Sequence, residues 1–223
     1  MLELNKIYLW DCLDLMKQIP DKSIDLVLTD PPYWMAYQSS RRIDKHDKIE
    51  NDNNIDFIEP FLMESYRVLK DNTHCYIFCN DYAISDFRKL AKNIWFTAKR
   101  TLVRIKDNHT SGDLTWDYAN ITEFCIFLHK GRKELNWWRD RNVLYYDRER
   151  CDDHPTIKSQ QMINYLISKS SCEWDIILDP FVWSGTTCIW AKQSKRQFIG
   201  IEINNDYYNI ANKRLQYSQV WLF

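Results

Sequence analysis

Asp30-Pro31-Pro32-Tyr33 groups the residue types in this chain best suited to act on an aromatic amine. The exocyclic amino group of a base such as adenine is a poor nucleophile, because its lone pair is delocalised into the ring. Acceptors that draw on its protons free that pair. The Asp30 carboxylate can take one proton and the Pro31 carbonyl the other. Proline has no N–H, so Pro31 and Pro32 present carbonyls at nearly fixed φ with no competing donor. Tyr33 adds a flat face on which a base can stack. Read without chemistry, the same residues form a turn whose aspartate caps backbone groups.

An element has to hold this turn, and the run Ile24-Asp25-Leu26-Val27-Leu28-Thr29 supplies it. An apolar run closed by two prolines predicts a buried parallel strand that stops at Asp30, the edge where open α/β sheets place their ligands. A second constellation is Asp179-Pro180-Phe181-Val182-Trp183-Ser184-Gly185-Thr186-Thr187, between the apolar run ending at Leu178 and a helical pattern from Cys188 to Ser194. Strand, hydroxyl-rich turn and helix start together offer free backbone N–H groups. The next strand, Gln197 to Ile201, ends in Glu202. An acid roughly 20 residues beyond such a turn commonly binds ribose hydroxyls.

These segments resemble the amino-group DNA methyltransferases that use S-adenosyl-L-methionine, in the group whose catalytic tetrapeptide precedes the cofactor motif. The matching runs are Asp11-Cys12-Leu13, Asp30 to Tyr33, His154-Pro155-Thr156-Ile157-Lys158, and Asp179 to Thr187 leading into Gly200-Ile201-Glu202-Ile203-Asn204. With the helix Asp206 to Leu215, the resemblance spans nearly the whole chain except about 36 to 53 and 107 to 150. Asp rather than Ser at position 30 resembles the adenine-N6 branch more than the cytosine-N4 branch. The resemblance implies that Asp30, Pro31, Pro32 and Tyr33 hold a flipped adenine, with no metal, since a sulfonium is itself the leaving group. It implies Asp11 at the cofactor's adenine, Glu202 at its ribose, and Ser184, Gly185 and Thr186 at its methionine end, with Thr156 and Lys158 nearby. Cys12, Asp179, Phe181 and Asn204 complete the implied cofactor set, and His154 is expected to fix a loop.

The chain has 223 residues and 27.1 kDa, enough for one domain with a full core. No apolar stretch is long enough to span a membrane, and Glu3, Asp11 and Asp14 argue against a secretory leader. Seven cysteines without a Cys-x-x-Cys read as reduced thiols of a cytoplasmic protein. A net charge of −1 does not announce a double-stranded DNA partner, so the charge must be located. Lys130 to Arg150 holds seven Lys/Arg against four Asp/Glu, interleaved with Trp137, Trp138, Tyr145 and Tyr146. Arg132, Lys133, Arg139 and Arg141 are therefore candidate phosphate contacts within a recognition insertion at about 107 to 150; a solvated hairpin is the plain alternative. Residues 36 to 53 are almost devoid of apolar side chains and predict a mobile loop beside the catalytic turn, with Arg41, Arg42 and Lys45 as further DNA candidates. Family resemblance also suggests a homodimer.

Strands are predicted near 6 to 9, 24 to 29, 74 to 79, 100 to 105, 123 to 128, 176 to 179 and 197 to 201. Helices are predicted near 12 to 19, 56 to 69, 82 to 93, 159 to 169, 185 to 194 and 206 to 216. The alternation predicts an α/β, Rossmann-like, doubly wound and mostly parallel sheet. The resemblance implies seven strands with an antiparallel edge.

One departure recurs. Glycine usually stands in this family where the chain has Trp10, Trp34, Trp95, Trp174 and Trp183, and the chain has 10 Trp and 4 Gly where average usage gives roughly 16 Gly. One account is a codon read as Trp in one genetic code and as Gly in another; universal Trp codons at all five positions would remove it. The other is a diverged protein with genuine tryptophans. Trp183 matters most, because a Cβ and an indole at that turn hinder the backbone's approach to a cofactor. Three alternatives to an adenine-specific enzyme therefore stand: a catalytically impaired DNA-binding homologue, a cytosine-N4 enzyme, and an amino-group methyltransferase acting on RNA or protein.

Overall fold

The computed structural model describes residues 2–32, 57–106, 120–146 and 158–218. Among these residues eight strands form one sheet: β1 (Lys6–Leu9), β2 (Ile24–Thr29), β3 (Leu69–Cys79), β4 (Thr97–Ile105), β5 (Thr122–Lys130), β6 (Val143–Tyr145), β7 (Ile176–Asp179) and β8 (Gln197–Glu202). The order across the sheet is β1-β8-β7-β2-β3-β5-β4-β6. The helices among the described residues are α1 (Cys12–Met16), α2 (Ile58–Val68), α3 (Ile84–Asn93), α4 (Gln160–Ser170), α5 (Thr186–Gln193) and α6 (Asn205–Tyr217).

Strand residues alternate between two cores. Val27 and Ile77 join the side chains of α1, α2 and α3, whereas Leu26, Leu28, Tyr76 and Phe78 join those of α4, α5 and α6. Three helices therefore cover each face, and a strand buried on both faces reads as the continuous apolar run seen at 24 to 29. From β7 the chain winds outward to β8, and from β2 it winds the other way to β3. The crevice beyond the carboxyl ends of β7 and β2 is thus the topological switch point, where this architecture binds ligands.

The seven expected strands are all present, and β6 is an eighth, three residues pairing parallel with β4. The antiparallel strand is β5, enclosed between β3 and β4, and not an edge. In that place its ladder groups are satisfied on both sides. Helix α1 closes at Met16, ahead of Pro20, by tight turns from Gln18 and Ile19 back to Leu15 and Met16. No helix among the described residues is long and apolar enough to cross a membrane.

Three of the five tryptophans at glycine-like positions have left-handed backbone: Trp95 (φ 71°), Trp174 (φ 73°) and Trp183 (φ 50°). Trp137 (φ 59°) is a fourth that the motif comparison did not flag. Left-handed backbone costs an L residue roughly 1–2 kcal/mol and costs glycine little. Trp10 does not share this geometry, and Trp34 lies outside the described residues.

Candidate active site

Strand β2 is buried throughout and delivers Asp30 to the switch point, with Pro31 buried directly behind it. The Asp30 Oδ2 lies 3.0 Å from Lys158 Nζ. The same ammonium is 4.0 Å from Glu123 Oε2 and 4.8 Å above the Phe78 ring. Glu123 also accepts from Arg104 Nη1 at 2.9 Å, and Lys106 Nζ stands 4.0 Å from its other oxygen. Burial alone would raise the Glu123 carboxyl, but Lys158, Arg104 and Lys106 outweigh it and hold the group below the ordinary glutamate value. Sequence reasoning missed Glu123 and Arg104. Glu123 opens an otherwise apolar stretch and Arg104 is one of three cations in β4, with Lys99 and Arg100, and only the β4/β5 register sets them opposite one another.

The β7 and β8 turns form the other wall. Asp179 is buried and accepts from Thr29 Oγ1 at 2.7 Å and from the Phe181 N–H at 3.2 Å. Burial raises its carboxyl from 3.8 to about 7. Between these values the folded chain binds more protons than the unfolded one. The stabilisation is therefore complete below 3.8 and is lost as pH rises through about 7. Asp179→Asn keeps a neutral acceptor, so at pH 8 it should raise the melting temperature by several degrees, on the order of 2–4 kcal/mol. The gain should shrink toward zero below pH ~4 in paired thermal melts; an equal gain at both pH values would refute the burial argument.

Glu202 ends β8 with its carboxylate turned into the turn: Oε2 accepts the Trp183 N–H at 2.7 Å and Oε1 the Asn204 N–H at 2.9 Å. Ser184 and Thr186 are buried, and Arg214 donates to the Ser184 carbonyl and, at 3.4 Å, to Thr186 Oγ1. Gly185 (φ 84°) is required here, since a Cβ would stand 3.1 Å from the Ala211 side chain. Asp11 caps α1 through the Leu13 and Asp14 N–H groups, and Asn204 caps α6 through those of Asp206 and Tyr207. Phe181 packs edge-on against Phe57 and Phe61. Cys12 faces the core, where burial pushes its thiol up to about 12.

The structure thus brings Asp30, Lys158, Asp179, Glu202 and the 183–186 turn to one edge. Lys158 pairs with Asp30, on the side of the crevice away from β8. Tyr33, Thr156, Arg41, Arg42 and Lys45 lie outside the described residues. Arg132 and Lys133 are not brought to this edge, and Arg139 and Arg141 precede Asn142, which bonds to Thr101 and Val103 midway along β4. Because β5 runs antiparallel, its start at Glu123 meets Asp30's edge while its end at Lys130 reaches the opposite one, roughly 25 Å away at about 3.4 Å per residue. There Lys133 Nζ bonds the Ser170 carbonyl, and the Asn136 side chain bonds the Ser168 and Ser171 carbonyls at the end of α4.

As a nucleoside cofactor site the donor set fits: a carboxylate closing β8, a glycine-permitted turn at the start of α5, and Asp11 beyond β1. Trp183 is the misfit. Its indole Nε1 donates to the Asp30 carbonyl at 2.7 Å while its ring lies 5.3 Å from that of Tyr207. The side chain therefore spans the crevice from the β7 turn to the end of β2.

A doubly wound sheet with an aspartate at its switch point, facing a carboxylate-closed turn, defines the methyltransferase class of α/β folds. The DNA methylase family model covering N6 and N4 enzymes matches residues 24–213, and the chain belongs to that family. It is a DNA amino-methyltransferase. YubD of Escherichia coli (strain K12) is 32% identical over 92% of this chain and 87% of its own length. The DNA adenine methyltransferase YhdJ of the same organism is 29% identical over 92% and 80%. Among solved structures, the M1.HpyAVI–SAM complex superposes with a TM-score of 0.75 at 26% identity, covering 94% of this chain and 98% of that one.

Proposed function

We propose that this chain transfers a methyl group from S-adenosyl-L-methionine to N6 of an adenine turned out of duplex DNA. The observation that carries this reading is the Asp30 carboxylate at the switch point, beside the Glu202 turn and held by Lys158. The similarity to M1.HpyAVI, solved with SAM, supports the cofactor, and the similarity to the adenine enzyme YhdJ supports the base.

When bound, the cofactor supplies an electrophilic sulfonium methyl group. The chain's own residues do the rest. Asp30 and the Pro31 carbonyl accept the two amino protons and aim the nitrogen lone pair out of the ring plane. As the N–C bond forms and the methyl's bond to sulfur breaks, the amine sheds one proton, and the Asp30 carboxylate receives it. Glu202, Ser184, Gly185 and Thr186 bind the cofactor, and Tyr33 stacks on the base. A second reading, a DNA-binding homologue with weakened cofactor affinity, is favoured by the Trp183 indole across the crevice.

Incubation with methyl-labelled cofactor and duplex DNA, followed by digestion to nucleosides, should give N6-methyladenine. N4-methylcytosine would move the chain to the sister branch. Label appearing in RNA or protein and not in DNA would overturn the substrate class.

A further inference from the structure

Resting on that reading, we propose that Glu123 is a positioning residue for methyl transfer, holding Lys158 against the Asp30 carboxylate. A lysine has a long flexible stem, and one ion pair to a partly exposed carboxylate does not fix it. Lys158 instead lies 3.0 Å from Asp30 Oδ2 and 4.0 Å from Glu123 Oε2, over the Phe78 ring. Glu123 is itself immobilised. Arg104, 2% exposed, donates to it at 2.9 Å and fixes its own guanidinium through Nε to the Tyr146 carbonyl at 2.9 Å.

The result is a chain of charged contacts from the end of β6 through β4 and β5 to the end of β2. Arg104, Lys106 and Lys158 all face the Glu123 carboxylate, within 2.9, 4.0 and 4.0 Å. With that charge removed, the three cations repel one another. Arg104 and Lys106 are held by β4 and its end, so Lys158, on the segment before α4, is the group that moves. Asp30 then loses its 3.0 Å contact with the ammonium. The cofactor turns lie on the other side of β2, at β7 and β8, so cofactor affinity should not follow.

The test uses the full chain and Glu123→Gln, which keeps the shape and removes the charge. Competitive acetylation read by mass spectrometry should show Lys158 at least five-fold more reactive in the variant, with the exposed Lys17 unchanged. Single-turnover methyl transfer to duplex DNA should fall ten-fold or more, with the cofactor dissociation constant within two-fold. Glu123→Asp should recover part of the rate. On a Lys158→Met background Glu123→Gln should add no further loss, whereas multiplying losses would overturn the proposal. Unchanged Lys158 reactivity would also overturn it, whatever the rate. A wild-type chain that transfers no methyl group would fail the methyltransferase reading, while the labelling would still decide whether Glu123 holds Lys158. If Glu123→Gln does not fold, Glu123→Asp, which draws the carboxylate back by one methylene, should still raise Lys158 acetylation at least two-fold and slow methyl transfer, and unchanged Lys158 reactivity in it would overturn the proposal.

Discussion

Trp183→Gly should tighten S-adenosyl-L-methionine binding by about ten-fold or more, through roughly 1.4 kcal/mol per decade. The left-handed φ of 50° strains any L residue by roughly 1–2 kcal/mol, but that strain is there with or without cofactor and weighs on the fold, so the affinity gain comes from the ring. The indole spans the crevice, bonded to the Asp30 carbonyl at 2.7 Å and set against Tyr207, so a cofactor seated on Glu202 must displace it. Glycine removes the ring and keeps the backbone N–H that Glu202 accepts. Titration calorimetry on both forms measures the effect. Low-micromolar binding by the tryptophan form, unchanged in the glycine form, would mean that the indole swings clear at no cost.

Asp30→Ala should reduce methyl transfer by at least two orders of magnitude while cofactor affinity stays within a few-fold. The carboxylate acts on the reacting amine, whereas the β7 and β8 turns bind the cofactor, so the loss belongs in the rate and not in binding. Removing Asp30 also takes away the 3.0 Å carboxylate contact of Lys158, which leaves its positive charge less compensated at this edge of the sheet. Retention of more than about a tenth of the rate is less than ~1.4 kcal/mol of lost transition-state stabilisation, too little for the acceptor of a transferred proton.

Much of this architecture is legible in the chain because both-face burial writes itself plainly. Ile24 to Thr29, Ile176 to Asp179 and Gln197 to Glu202 are short apolar runs closed by Asp30, Pro180 and Ile203-Asn204, and each became a strand ending at the switch point. The left-handed turn at 183 was legible for a different reason, the glycine that the family pattern has there, whereas Trp10, singled out on the same ground, is not left-handed. Three features were not legible. Strand β6 is three residues long, too short for any periodicity to show. The direction of β5 depends on which strands it joins, so nothing in Lys130 to Lys133 indicates that these residues lie at the edge away from Asp30. Glu123 was hidden because its role comes from residues 19 and 35 positions away and from Asp30 across the sheet.

The most direct test of the central claim is single-turnover transfer of labelled methyl from S-adenosyl-L-methionine to duplex DNA, run on the Trp183→Gly chain with and without Asp30→Ala. N6-methyladenine is expected from the first and at least a hundred-fold less from the second, at comparable cofactor affinity. Equal rates from the two chains, or no methylated base from the chain that retains Asp30 despite tight cofactor binding, would contradict it.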